Sequence, residues 1–346
     1  MFGAATLAAM KAWVLHDIGG PQSFVLEETA TPEPGPGEVR VKLTASALNH
    51  LDIWTSLGMP KPHLPHVAGA DGAGVVDAVG EGVTSVRRGA EVVVNPSVGC
   101  GACPACLRGD TPLCTTYQIL GEHRWGTLAE YVVIPDRNVL PKPDEMAWEA
   151  AAAYGLVTGT AYRMLRRARL SPGDVLLVVG VGGGVSSAGL ALGKAMGATV
   201  YVTSTNTDKI CRAIQMGAAG GFNSTNLFAK DIKQELGHGV DVVLENVGPA
   251  TWEQSVRSLE QGGRLITCGS TSGNKVEITV PYLFFKHLEI IGSTMFDYDE
   301  FAAVTELVGD GRVPVTVDSV FDFEELPAAL TRLEAGQQLG KIILRF

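Results

Sequence analysis

Residues Ser171–Ser204 read SPGDVLLVVGVGGGVSSAGLALGKAMGATVYVTS, and the period of the sequence changes twice within them. Val175–Val179 is an unbroken apolar run, as expected of a parallel strand buried on both faces. A glycine loop follows, then a helical stretch to Met196, then a second strand pattern over Thr199–Thr203. Strand, loop, helix and strand make a βαβ unit. Further apolar runs, DVVLENVG from Asp241 and RLITCGS from Arg264, are spaced as later strands of the same sheet, with helical stretches between them. AAAYGLVTGTAYRMLRRARL (Ala151–Leu170) predicts one helix ahead of the unit, its small residues allowing close packing.

The loop explains what such a unit could hold. Gly180, Gly183 and Gly184 stand between strand and helix, where backbone N–H groups can approach a pyrophosphate at the helix N-terminus. Ser186 takes the place of the usual third glycine and is small enough to keep helix and strand close. A glycine turn without a ligand is the plainer alternative, and the flanking strand and helix argue against it. The second strand ends VTSTNTDKI. Ser204 sits where an acidic residue would take the ribose hydroxyls of NAD. With Thr205 beside it and Lys209 near, this uncharged end suits a 2′-phosphate, so NADP(H) is expected, although Asp208 argues mildly against it.

The half before Ala150 has a different texture. VRVKLTA (Val39–Ala45) alternates apolar and polar, as a half-buried antiparallel strand does. GAGVVDAVGEGV (Gly72–Val83) reads as a strand entering a glycine turn. Four of the six cysteines lie within fifteen residues, at Cys100, Cys103, Cys106 and Cys114, spaced Cys-x2-Cys-x2-Cys-x7-Cys. Short spacers let successive thiolates turn to one point, and the fourth closes a tetrahedron around zinc. Disulfides fit poorly with a chain that has no secretory features. Four thiolates leave no open position, so this zinc is structural and contributes folding energy to a glycine- and proline-rich loop.

Bulk properties narrow the rest. A chain of 346 residues suggests about two domains. It is 46% hydrophobic and 18% charged, the balance of a folded protein. A net charge of −10 and no basic run beyond paired arginines offer no nucleic-acid surface. No apolar run reaches the length of a membrane helix, and the N-terminus reads poorly as a signal peptide, so a cytoplasmic protein is expected.

Together, the four-cysteine lobe followed by YGLVTGTAY and GGGVSSAG resembles the medium-chain dehydrogenase/reductase family from Lys11 to Phe346. The resemblance implies an α/β protein: a GroES-like β domain over residues 10–155, with the zinc lobe at about 98–115, and a doubly wound parallel-sheet Rossmann domain over 156–290. Residues 291–346, ending GKIILRF, would return to the first domain. By resemblance, Gly183, Gly184 and Val185 hold the pyrophosphate with help from His50 and Lys341. Ser204, Thr205 and Lys209 hold the 2′-phosphate. Thr160, Asn246, Gly269 and Ser270 line the ribose and nicotinamide.

Zinc alcohol dehydrogenases of this family carry a second, catalytic zinc. Its first cysteine falls at Asn49, its histidine at Ala70 with Asp71 in the acidic place, its later cysteine at Leu156, and the relay hydroxyl at Leu51. Alanine and leucine offer no donor atom, and asparagine alone cannot hold Zn²⁺ against water. One structural Zn²⁺ is therefore expected, and none at the chemistry. A shifted site built from His50, Asp52, His63, His66 and Asp71 is the weaker alternative. Without a Lewis acid, hydride transfer suits an already polarised acceptor: a quinone, enone, enal or acryloyl-type C=C. The expected partner is thus a small electrophile, with Asn49 as the candidate catalytic hydrogen-bonding group or else a loop cap. An alcohol dehydrogenase with atypical zinc and a silent NADPH-binding protein are the rival readings. Family habit implies a homodimer or homotetramer, with YLFFKHLEIIGSTMF (Tyr282–Phe296) either contributing an intersubunit strand or buried within one subunit.

Overall fold

A computed structural model describes residues 9–346. The described chain divides into two compact units: residues 9–156, 297–309 and 317–346 form the first, and 157–296 with 310–316 the second.

The first unit is built on a mainly antiparallel sheet. Its strands run in the order Val139–Pro141, Glu91–Val94, Asp71–Val79, Glu38–Ala47, Lys341–Arg345 and Val317–Asp322, with Tyr131–Pro135 also pairing Glu38–Ala47. The alternation read in Val39–Ala45 is realised: Val39, Val41, Leu43 and Ala45 are buried, while Lys42 is exposed. Val39, Val41 and Leu43 pack with Val76, Val92, Val94 and Ile134 in one core. A second core gathers Trp13, Leu15, Leu48 and Ile53 against Leu326, Leu330, Ile342 and Leu344. Each such side chain contributes about 1.5–3 kcal/mol by leaving water.

Register in this sheet decides where chemistry can sit. Ala47, at the end of the strand Glu38–Ala47, pairs with Asp71 on one side and Ile343 on the other. Asn49 follows two residues later, and Lys341 precedes Ile343 by two. Three distant parts of the chain are thereby delivered to one spot.

The expected single helix over Ala151–Leu170 is two, Trp148–Ala153 and Gly155–Arg167, broken at Tyr154. The cause is Asp71, whose Oδ1 accepts the Leu156 N–H at 2.6 Å. A Cβ on Gly155 would lie 2.8 Å from that same oxygen, so only glycine lets the chain pass so close.

The second unit is a six-stranded parallel sheet. Its order is Gly220–Asn223, Thr199–Ser204, Val175–Val178, Val240–Glu245, Leu259–Thr267 and Glu289–Gly292. Numbered along the chain this is 3-2-1-4-5-6, the doubly wound order whose switch point lies between Val175–Val178 and Val240–Glu245. Helix Gly184–Ala195 follows the first strand, its residues Ser186–Gly193 all buried. Leu177, Val179, Val243 and Leu265 pack with Phe228, Ile232 and Trp252 in the core of this unit.

Candidate active site

Asn49 caps the helix His50–Ser56. Its backbone N–H donates to Asp52 Oδ2 at 2.8 Å, and Asp52 Oδ1 accepts the Gly69 N–H at 2.9 Å. Asp52 thus ties the helix start to the strand-side turn. Burial raises its carboxyl to about 6, against the pull of those two N–H groups and of Lys341. The Asn49 amide is fully engaged: Nδ2 donates to Asp71 Oδ2 at 3.0 Å and Ala47 O at 3.3 Å, and Oδ1 accepts from Lys341 Nζ at 2.5 Å.

Lys341 also donates to Asp71 Oδ2 at 2.9 Å. The pair is buried, with the Lys341 side chain 4% exposed and Asp71 fully enclosed. Asp71 Oδ1 is held separately by the Leu156 N–H. The result is a closed ring of Asn49, Asp71 and Lys341, all on the first unit. His50 begins the helix beside it, half-buried. Burial, and then the Lys341 charge, lower its imidazole, which favours the neutral form. The ring thus joins the residue proposed for catalysis, Asn49, to one expected at the pyrophosphate, Lys341. Ala70 and Leu156 contribute no side-chain donor, and among the described residues the only His/Cys/Asp/Glu cluster with metal-ligand spacing is the four cysteines.

On the second unit, the residues read as coenzyme contacts lie at the carboxyl ends of the parallel strands or just beyond, except Thr160, which lies within the helix Gly155–Arg167. Gly183 is the N-cap of helix Gly184–Ala195, so the N–H groups of Gly184 and Val185 have no carbonyl within the helix. A Cβ on Gly183 would meet no atom within 4 Å, which leaves the loop open to a phosphate. Gly180 donates its N–H to Thr203 Oγ1 at 3.1 Å, locking the loop to the second strand. Ser186 does more than fit: its hydroxyl donates to Val179 O at 2.9 Å and accepts from Asn246 Nδ2 at 3.0 Å. The buried hydroxyls of Thr160 and Ser187 have no hydrogen-bond partner among the described residues. Open N–H groups and orphaned hydroxyls suit an acceptor-rich dinucleotide.

Ser204 is buried at the end of the second strand, its Oγ accepting the Asn206 N–H at 3.2 Å. Asn206, which sequence reading passed over, caps the next helix through Asp208 and Lys209 N–H. Thr205 is exposed, and Lys209 is half-buried in the helix that follows, Thr207–Gln215. Gly269 and exposed Ser270 follow the strand Leu259–Thr267, where the Thr271 and Ser272 N–H groups bond to Asn246 O and Val247 O.

Glu245 was also missed. It is fully buried at the end of its strand and accepts from Val247 N–H, Gly248 N–H, Thr251 Oγ1 and Ser255 Oγ. It fixes the turn that carries Asn246. The signal was a single acidic residue closing an apolar run in VVLENVGP.

The four thiols lie within 4.8 Å of one another, and Cys100 Sγ is 4.0 Å from Cys106 Sγ. Zn–S bonds of about 2.3 Å in a tetrahedron require sulfurs about 3.8 Å apart, so the cluster fits zinc. Tyr298 anchors the lobe by accepting the Gly99 N–H at 3.3 Å and donating to Asn138 Oδ1 at 3.1 Å.

Two family models match the chain: the alcohol dehydrogenase GroES-like domain over residues 35–144 and the zinc-binding dehydrogenase over residues 184–310. A crotonyl-CoA reductase of Streptomyces avermitilis is 33% identical over 372 residues, covering 93% of this chain and 81% of that protein. A crystal structure of an NAD-dependent alcohol dehydrogenase is similar with a TM-score of 0.94 and 41% identity, covering 97% of this chain and 100% of that one. A 2-octenoyl-CoA carboxylase reductase in complex with NADP and 2-octenoyl-CoA gives a TM-score of 0.92 at 29% identity, covering 97% and 87%.

Proposed function

Because the chain belongs to the medium-chain dehydrogenase/reductase family, an oxidoreductase family, we propose that it reduces an α,β-unsaturated acyl thioester with NADPH, using no catalytic zinc. The observation that carries this reading is the Asn49–Asp71–Lys341 ring: Asn49, at one position where the family resemblance puts a catalytic-metal ligand, is tied to a buried ion pair, and Ala70 and Leu156, at the other two, offer only hydrocarbon. A site without a Lewis acid suits an acceptor whose double bond is already polarised by a carbonyl. The relatives named for crotonyl-CoA and 2-octenoyl-CoA reduction favour the thioester over quinones and enals.

Reduced nicotinamide, when bound, supplies the hydride. The chain's own residues do the rest. Gly183, Gly184 and Val185 offer N–H groups to the pyrophosphate. Ser204, Thr205 and Lys209 offer an uncharged strand end and one cation to the 2′-phosphate. Asn246, held by Ser186 and by the Glu245 turn, keeps the ribose side of the loop in one conformation. Cys100, Cys103, Cys106 and Cys114 hold one structural zinc.

The alternative is alcohol oxidation with NAD, favoured by the 41% identity to a solved alcohol dehydrogenase. One experiment separates them: metal analysis of the purified protein, with coenzyme oxidation followed on crotonyl-CoA, a quinone and an enal, and coenzyme reduction on short alcohols. One zinc per chain and NADPH-preferring reduction of crotonyl-CoA are expected. Two zincs with NAD-dependent alcohol oxidation would overturn the proposal. We also propose that the protein assembles as a homodimer or homotetramer. The exposed Phe284 and Phe285 and the edge strand Glu289–Gly292 support a second copy as the partner, and light scattering measures it.

A further inference from the structure

Three features of the ring bear on what replaces the metal. Lys341 Nζ lies 2.5 Å from Asn49 Oδ1 and 2.9 Å from Asp71 Oδ2, so an ammonium already sits against both oxygen donors. A metal ion could not share those oxygens without facing a second cation at contact distance. An ammonium has three N–H donors, and these two bonds use two of them. The third has no partner among the described residues. Finally, Asp71 is fully buried, and its other oxygen is pinned by the Leu156 N–H. A carboxylate so fixed holds the ammonium in place, in surroundings where a positive charge acts more strongly than in water.

We propose that Lys341 is the electrophilic catalytic residue, its ammonium stabilising the thioester enolate in the role a metal plays elsewhere in the family. This rests on the enoyl-thioester reading above. As hydride adds to Cβ, the Cα=Cβ π pair moves to form Cα=C, and the carbonyl π pair moves to oxygen. The free N–H of Lys341 meets that oxyanion. Water then supplies a proton to Cα, the C=O bond re-forms, and a saturated thioester leaves with oxidised coenzyme. Asn49, its amide committed within the ring, is a positioning residue that sets the ammonium in place.

The test uses the full chain carrying Lys341→Met, Lys341→Arg, and the double change Asp71→Asn with Lys341→Met, which removes both buried charges and guards against a variant that fails to fold. Two quantities are read: kcat on crotonyl-CoA at saturating NADPH, and NADPH affinity by fluorescence titration without substrate. In Lys341→Met and in the double variant, kcat is expected to fall about a hundredfold or more, while NADPH affinity stays within about threefold of wild type. Lys341→Arg should retain part of the rate. A folded double variant with near-wild-type kcat overturns the inference. So does a variant that binds NADPH at least about tenfold more weakly yet recovers kcat at saturation, since that assigns Lys341 to the pyrophosphate. If wild type is silent on crotonyl-CoA while oxidising alcohols, the functional reading fails and takes this inference with it.

Discussion

Asp52 shows what one residue can report. Its carboxyl sits at about 6 in the folded protein against an ordinary 3.8, because burial outweighs the two backbone N–H groups it accepts. Between those values the native state keeps a proton that the unfolded chain has released, so this group's contribution to stability falls as pH rises. The Asp52→Asn variant has no titratable group at this position. The stability advantage of wild type over it should shrink by on the order of 2–3 kcal/mol from about pH 4 to about pH 7, then level off. Urea denaturation of both proteins across that range measures it; a constant difference would mean the carboxylate keeps its charge. At this scale the sequence was informative where chemistry is absolute. Ala70 and Leu156 have no donor atom whatever their surroundings. It was silent where chemistry depends on company: the contact between Asn49 and Lys341 spans 292 residues. No local pattern announces it.

Elements were legible by period, and their interruptions were not. The βαβ unit appeared because a buried run, a glycine loop and a helical stretch follow one another, and the sheet carries them in that order. The break at Tyr154 escaped because its cause is Asp71, on a strand distant in sequence, drawing the Leu156 N–H out of a continuous helix. Gly155 tests this cause. Alanine is the better helix former, by about 1 kcal/mol, yet its Cβ must press on Asp71 Oδ1. Gly155→Ala should therefore lose stability, by up to about 2 kcal/mol, the cost of overpacking less the helix gain. Chemical denaturation reads the sign directly, and a stabilised variant would show that the carboxylate yields freely. The turn after Val240–Glu245 makes the same point: its stiffness comes from hydroxyls of the following helix closing on Glu245, which spacing alone does not reveal.

For the whole molecule, zinc and catalysis are expected to separate. The four cysteines were legible from spacing, since ligands close in sequence need no long-range register. Stripping the metal with a thiol-competitive chelator should lower the melting temperature by about 1–3 °C, about what a loss of 1–2 kcal/mol produces in a chain this long. Protein that remains folded should still turn over. Calorimetry and an activity assay on the same sample check it, and immediate loss of turnover without loss of fold would contradict it. The sheet of the first unit carries a further consequence. Asp71 and Lys341 arrive on separate strands that flank Glu38–Ala47, and each meets the other only in the native pairing. Slipping either flank by one residue would turn its charge to the opposite face and strand the partner in hydrocarbon, at a cost of about 3–5 kcal/mol. The ion pair therefore proofreads its own scaffold, penalising the near-copies of the fold that apolar packing alone would tolerate.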